Sequence, residues 1–320
     1  MPCLYKENMF KCVNNIYYIK IYHNHDWVWY PVVLRKTDLD YVHRFMSEHP
    51  GCIESAPVLI KRDHGYSLCF TYEYKSLEEY KYIKDDRISK VVSVDLGINK
   101  DAVCSLIHRD GTVAGNKFIN SPVEKDRLYT TLNRIKKSQQ HGSRKCRRLW
   151  RFVDNYNREI AIKTAKVIVD YALETGCKLI VFEYLGNFHP KARSQKISLW
   201  RKRDIQSRVT EMAKRYGIRI SYVSAVNTSN LAYDGSGKVV RDKNNHSLCT
   251  FTTGKRYNCD LSASKNIGAR YFIRTLIKSL PARERLLLEA KVPEASTRTR
   301  CTLSTLINLN AAYGTFHSAG

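Results

Sequence analysis

Acid is scarce beside base in this sequence. Against 54 Lys plus Arg there are 30 Asp plus Glu, a formal net charge of +24 with His neutral. A surplus of that size excludes ordinary surface balance as its cause and points to a polyanionic partner. Nucleic acid, held by phosphate contacts and counterion release, is the polyanion expected. A membrane surface is the competing polyanion. There is no run of 18 or more apolar residues, however, and no charged-then-apolar leader before Lys6. Their absence excludes a spanning helix and a secretory signal, so the expectation is a soluble intracellular protein with no membrane partner. Ten cysteines, at 3, 12, 52, 69, 104, 146, 177, 249, 259 and 301, never fall in a C-x-x-C spacing. That excludes a self-evident zinc site and a disulfide framework, and leaves reduced thiols acting mostly as small core hydrophobes. No internal repeat is visible either, and 320 residues is the length of about two domains.

The first 85 or so residues are β-rich. "NNIYYIKIYHNHDWVWYPVVL" is dense in Tyr, Ile, Val and Trp, and "APVLIKRDHGYSLCFTYEYK" reads as two strands around Asp63, His64 and Gly65. Between them "DLDYVHRFMSEHPG" predicts a short helix capped by Asp38 or Asp40. A small barrel or curled sheet over residues 1–86 is expected, followed by an α/β unit over 87–282 and a tail, weakly helical at 283–291, over 283–320.

In the α/β unit "KVVSVDLG" is an apolar strand ending in Asp95 and Gly97, and "DAVCSLI" and "TVAGNKFI" form a hairpin through "HRDG". The stretch 125–160 holds 11 Lys or Arg and 3 Asp or Glu, and its second half runs on as a helix that Gly176 ends. "CKLIVFEYLGNF" is a continuous apolar run, as expected of a strand buried on both faces, with Glu183 near its end. A second basic segment, 190–215, has 9 Lys or Arg against 2 acids. Then come the strand "IRISYVSA", a polar loop, and the helix "LSASKNIGARYFIRTLIKSL", read as capped by Ser262 and stopped by Pro281.

Three carboxylates therefore stand at ends of structure. Asp95 and Glu183 follow apolar runs, where a charge is costly unless it is solvated, paired or bound to metal. Asp260 opens a helix. Each has a plain explanation by itself: a turn former, a solvated strand end, a helix cap. Together, in so basic a chain, they suit Mg²⁺, which prefers hard oxygen ligands; two such ions can stabilise the attacking and leaving oxygens of phosphodiester cleavage.

"VSVDLGINK", "LIVFEYLGNF" and "YNCDLSASKNIGARYF" resemble the three RuvC motifs of the TnpB or OrfB proteins of insertion sequences, relatives of type V CRISPR effectors. The resemblance runs from about residue 90 to 280. "NTSNLAYDGSGKV", "KVPEAS" and "CTLSTL" extend it toward the C-terminus. It implies a ribonuclease-H-like (RuvC) mixed sheet with helices on both faces, preceded by a β-rich wedge-like domain. It also implies a guide RNA from the transposon end, a double-stranded DNA target, and work in the bacterial cytoplasm at the nucleoid. The carboxylates that would hold two Mg²⁺ ions fall on Asp95, Glu183 and Asp260. The sequence departs from the family in two ways. The four-cysteine zinc ribbon is degenerate over about 226–258, where Cys249 and Cys259, even with His246, suggest no zinc site. The approach to the first motif is also short, so a TnpB-like RNA- or DNA-binding protein that does not cut is the alternative. Oligomeric state is not legible.

Two basic segments complete the reading. Arg144, Lys145, Arg147, Arg148 and Arg151 in one, and Arg193, Arg201, Lys202 and Arg203 in the other, are candidates to track a phosphate backbone; a solvated helix face is the plain alternative. The Tyr and Trp residues of 17–30 read as half-buried strand residues.

Overall fold

The computed structural model describes residues 2–14, 16–63, 65–73, 84–97, 100–142, 145–186 and 202–317. The chain divides into two compact units, Met1–Leu77 and Glu78–Gly320.

In the first unit β1 (Phe10–Val13), β2 (Ile16–His23) and β3 (Asp26–Val32) form an antiparallel meander. The β2–β3 turn is closed by Asn24 and His25, both at positive φ, the backbone of a tight two-residue hairpin. Alternation puts Phe10 and Tyr17 on one face, where they stack on each other and both meet the Phe70 ring edge-on. On the other face the Lys11 ammonium lies 4.3 Å from the centre of the Trp29 ring. Helix α1 (Lys36–Glu48) begins two residues before the expected caps; Asp38 lies in its first turn and accepts from Arg35. Two short pairs follow, β4 (Ile53–Glu54) with β7 (Tyr72–Glu73), and β5 (Val58–Arg62) with β6 (Gly65–Cys69). Among the described residues these are three small sheets and not one closed barrel.

The second unit is a mixed α/β fold built on five strands, β8 (Lys90–Asp95), β9 (Ala102–His108), β10 (Val113–Ile119), β11 (Leu179–Tyr184) and β12 (Arg219–Ser224), in the order β10-β9-β8-β11-β12. Strands β10, β9 and β8 run antiparallel; β11 lies parallel to both β8 and β12. The central strand β11 explains its own composition. Ile180 and Phe182 point to one side, packed with Val92, Val94, Ile168 and Val209. Leu179 and Val181 point to the other, packed with Val91, Ile107, Ile267, Phe272 and Leu306. All four strand residues are fully buried, at roughly 2 kcal/mol each, so no polar alternation is left to see.

Helices α2 (Pro122–Gln140), α3 (Arg147–Glu174) and α4 (Lys202–Arg215) come before β12, and α5 (Cys259–Ser279), α6 (Ala282–Lys291) and α7 (Leu303–His317) follow the strands. The first half of the 125–160 stretch is thus helical as well, not only its second half. The described part of 283–320, residues 283–317, is not a tail: Leu288, Leu303, Leu306 and Leu309 are buried in the same core as β8 and β11. Its apolar residues find their partners on α5 and, far back in the chain, on β8 and β11. Residues 226–258 contain a small antiparallel sheet, β13 (Val240–Arg241), β14 (Leu248–Thr250) and β15 (Arg256–Asn258). There Cys249 and Cys259 are buried with Ala232 and Phe251, against Tyr233 and Tyr257. The cap of α5 is Asn258, whose side chain accepts from the Leu261 N–H at 2.8 Å; Ser262, the expected cap, instead accepts from the Tyr233 N–H. Among the described residues no helix is long and apolar enough to cross a membrane.

Candidate active site

Three elements deliver the three carboxylates. Phe182 on β11 pairs in parallel register with Val94 on β8, so Glu183 and Asp95, each the next residue, emerge at the same end of neighbouring strands. Helix α5 packs across β8 and β9, and Asp260 sits in its first turn. The approach is close. A Cβ on Gly97 would lie 3.5 Å from Asp260 Oδ2 and 2.7 Å from the Lys100 carbonyl oxygen. A side chain at 97 is therefore excluded, which gives "DLG" a packing reason.

The electrostatics show the cost of this arrangement. Burial above all, then the neighbouring Glu183 carboxylate and also Asp260, push Asp95 well above the usual carboxylate range, while Lys202 and Arg241 pull it back. Asp260 is also raised by burial, against Arg241, Lys202 and Lys100. Lys202 feels the mirror image: burial lowers it and the three carboxylates raise it.

Second partners hold the acids in place. Glu183 Oε1 accepts from the Thr228 hydroxyl, and its backbone carbonyl accepts from Gln206 Nε2 at 2.9 Å. Asn266, fully buried on α5, donates to the carbonyls of Thr228 and Leu231 at 3.1 and 2.9 Å. Thr228, Gln206, Asn266 and Arg241 were not singled out from sequence; nothing in "AVNTSNLAY" marks one threonine as a carboxylate partner. The three carboxylates are hard oxygen donors of the kind Mg²⁺ takes, and their mutual repulsion is what a divalent cation relieves. Among the described residues, no three His, Cys, Asp or Glu side chains are gathered closely enough to hold a metal ion.

Comparison with known proteins bears on this site. The chain is 31% identical over 192 residues to a TnpB-like protein of Aquifex aeolicus, a match covering 52% of this chain and 60% of the relative. Over that half, the chain is similar to a TnpB-like protein. It spans 60% of that relative's length, less than two thirds, and no family model matches it. Among solved structures the chain is similar to a Cas12f1–sgRNA–target DNA complex (13% identity, TM-score 0.45, 68% of this chain and 66% of that one). It is also similar to the mini-RNA-guided endonuclease CRISPR-Cas_phi3 (12% identity, TM-score 0.47, 80% and 57%). Both scores lie below 0.5.

The basic residues of the chain divide into groups. Lys145, Arg147, Arg148 and Arg151 are exposed where α3 begins, away from its buried Val153, Asn157 and Ile160. Lys202, read from sequence as a phosphate contact, is set among the carboxylates instead. Arg203 donates to the carbonyls of Leu185 and Gly186 just past β11. Arg144, Arg193 and Arg201 lie outside the described residues.

Proposed function

We propose that this protein is an RNA-guided DNA endonuclease of the insertion-sequence type, with a ribonuclease-H-like core and a wedge-like first unit. The observation that carries this reading is the convergence of Asp95, Glu183 and Asp260 from β8, β11 and α5 on one end of the central strands, with Asp95 buried among like charges. Asp95, Glu183 and Asp260 would hold Mg²⁺, which when bound supplies charge stabilisation for the attacking and leaving oxygens of phosphodiester hydrolysis. The chain's own residues do the rest. Thr228 orients Glu183 through its hydroxyl, Asn266 fixes the loop bearing Thr228, and Lys202 partly offsets the negative charge. The exposed Lys145, Arg147, Arg148 and Arg151 suit a phosphate backbone, and the RuvC-like motifs support a guide RNA and a DNA target.

A binding protein that does not cut is the second reading. It is favoured by the carboxylates not closing into a metal-holding group among the described residues. One experiment separates the two: cleavage of a plasmid library by this chain co-expressed with its flanking genomic DNA, with and without Mg²⁺, beside Asp260→Ala. Cutting that requires both magnesium and Asp260 supports the nuclease. Recovery of bound RNA without cutting establishes the binder.

A further inference from the structure

The molecule carries a second concentration of charge, of opposite sign, built on the second half of α5 and on elements that supply none of the three carboxylates. A cavity of about 270 Å³ lies between the second half of α5, helix α6, the end of β12 and residues 295–301. Five cations line it, Arg270, Arg274, Lys278, Arg285 and Arg298, against one acid, Glu289. Arg270, Arg274 and Lys278 recur every fourth residue and so stand in one row on α5, a like-charge spacing that weakens a helix unless something neutralises it.

These cations are in two states. Arg270 is buried and donates to the carbonyls of Cys301, Ser224, Val226 and Thr299 at 2.7 to 3.1 Å. Arg274 donates to Tyr222 O and Ser221 Oγ. These two are fixed walls, tying α5 to β12 and to the chain before α7. Lys278, Arg285 and Arg298 come from three separate segments, are exposed, and make no ion pair or hydrogen bond among the described residues. Burial above all lowers Arg274; Tyr271 and Asp85 act to raise it, and of the other lining cations Arg298 acts against it. A wall of held guanidinium groups with uncommitted cations at its rim is a receptor for an anion, and phosphate is the anion whose oxygens match several guanidinium and ammonium donors at once.

The geometry points to a phosphate-binding site in this cavity, taking a phosphate group carried by a nucleic-acid strand end or free in solution. The volume lies just under the roughly 300 Å³ at which small-molecule pockets begin, which suits a phosphate with little attached. The site does not depend on the carboxylates or on any metal.

The test uses the full chain in EDTA at about 0.15 M salt, where loose electrostatic binding is screened. A 3′-labelled trinucleotide bearing a 5′-phosphate is compared by anisotropy with its 5′-hydroxyl twin, with inorganic phosphate as competitor. The phosphorylated probe is expected to bind about tenfold tighter. Arg285→Gln with Arg298→Gln, both at exposed positions, should erase that preference, and Glu289→Gln should strengthen it by about threefold. Asp95→Asn should leave it unchanged, which separates this site from the carboxylate centre. Inorganic phosphate competing as well as the phosphorylated probe assigns the site to free phosphate; much weaker competition assigns it to a strand end. Equal binding of the twins, or a preference indifferent to both the double variant and Glu289→Gln, overturns the proposal.

Discussion

Helix α5 carries Asp260 in its first turn and Arg270, Arg274 and Lys278 in its second half, and the two ends treat buried charge differently. At the acid end, carboxylates face carboxylates, and Asp95 is driven toward its neutral form by burial and by its neighbours. At the basic end, Arg270 is as deeply buried but its guanidinium meets four backbone carbonyls. A buried charge with a full set of hydrogen-bond partners belongs to the architecture. A buried charge set against its own kind costs stability, and its retention points to a ligand.

The largest effect should come from the core on which the acid end stands. Phe182→Ala should lower stability by about 3–5 kcal/mol in urea unfolding, because it empties a fully buried ring site beneath Glu183. Next, Arg270→Met should cost about 3 kcal/mol by leaving buried carbonyls unpaired, whereas Asp95→Asn, in EDTA, should leave stability equal or higher by removing a repelling charge. Equal losses for these two variants would break the comparison. Thr228→Val should cost about 1 kcal/mol and should lower cleavage more than it lowers DNA affinity, since the hydroxyl reaches Glu183 and the Ala225 carbonyl and no basic group; a matched loss of both would make Thr228 merely structural. The smallest effect belongs to Asp85, which accepts from Arg219 and Tyr271. Partial burial pulls its carboxyl upward, but the hydrogen bonds from Arg219 and Tyr271 outweigh it and hold the group below its ordinary range. Its contribution is therefore present above about pH 4 and is lost as pH falls through the lower folded value. Asp85→Asn should cost less than about 1 kcal/mol at pH 7, the carboxylate being half exposed, and the difference from the parent should vanish in acid.

Much of the second unit was legible because its signals are local. The run "LIVF" announces a strand buried on both faces, "HRDG" a hairpin, and "DLG" a tight exit from β8. What escaped was set by partners distant in the chain. Ser262 looked like the cap of α5, but β15 leads straight into the helix, so Asn258 caps and Ser262 accepts from the Tyr233 N–H instead. The segment 283–320 looked like a tail because only its docking against α5 buries Leu303, Leu306 and Leu309. Lys202 looked like one more cation of a basic run until the fold turned it toward the acids.

By itself the sequence determined the apolar runs that build the sheet, the basicity that suits a polyanion, and the identity of three acids at ends of apolar or helical segments. These are properties of residue type and near-neighbour spacing, and they need no knowledge of what lies across the fold. Only the tertiary structure decided that Asp95, Glu183 and Asp260 share one end of the sheet, that Thr228 and Asn266 support them, and that five cations line one cavity. Burial and repulsion depend on distances between residues far apart in the chain, and packing two helical layers onto both faces of β8 and β11 is what sets those distances.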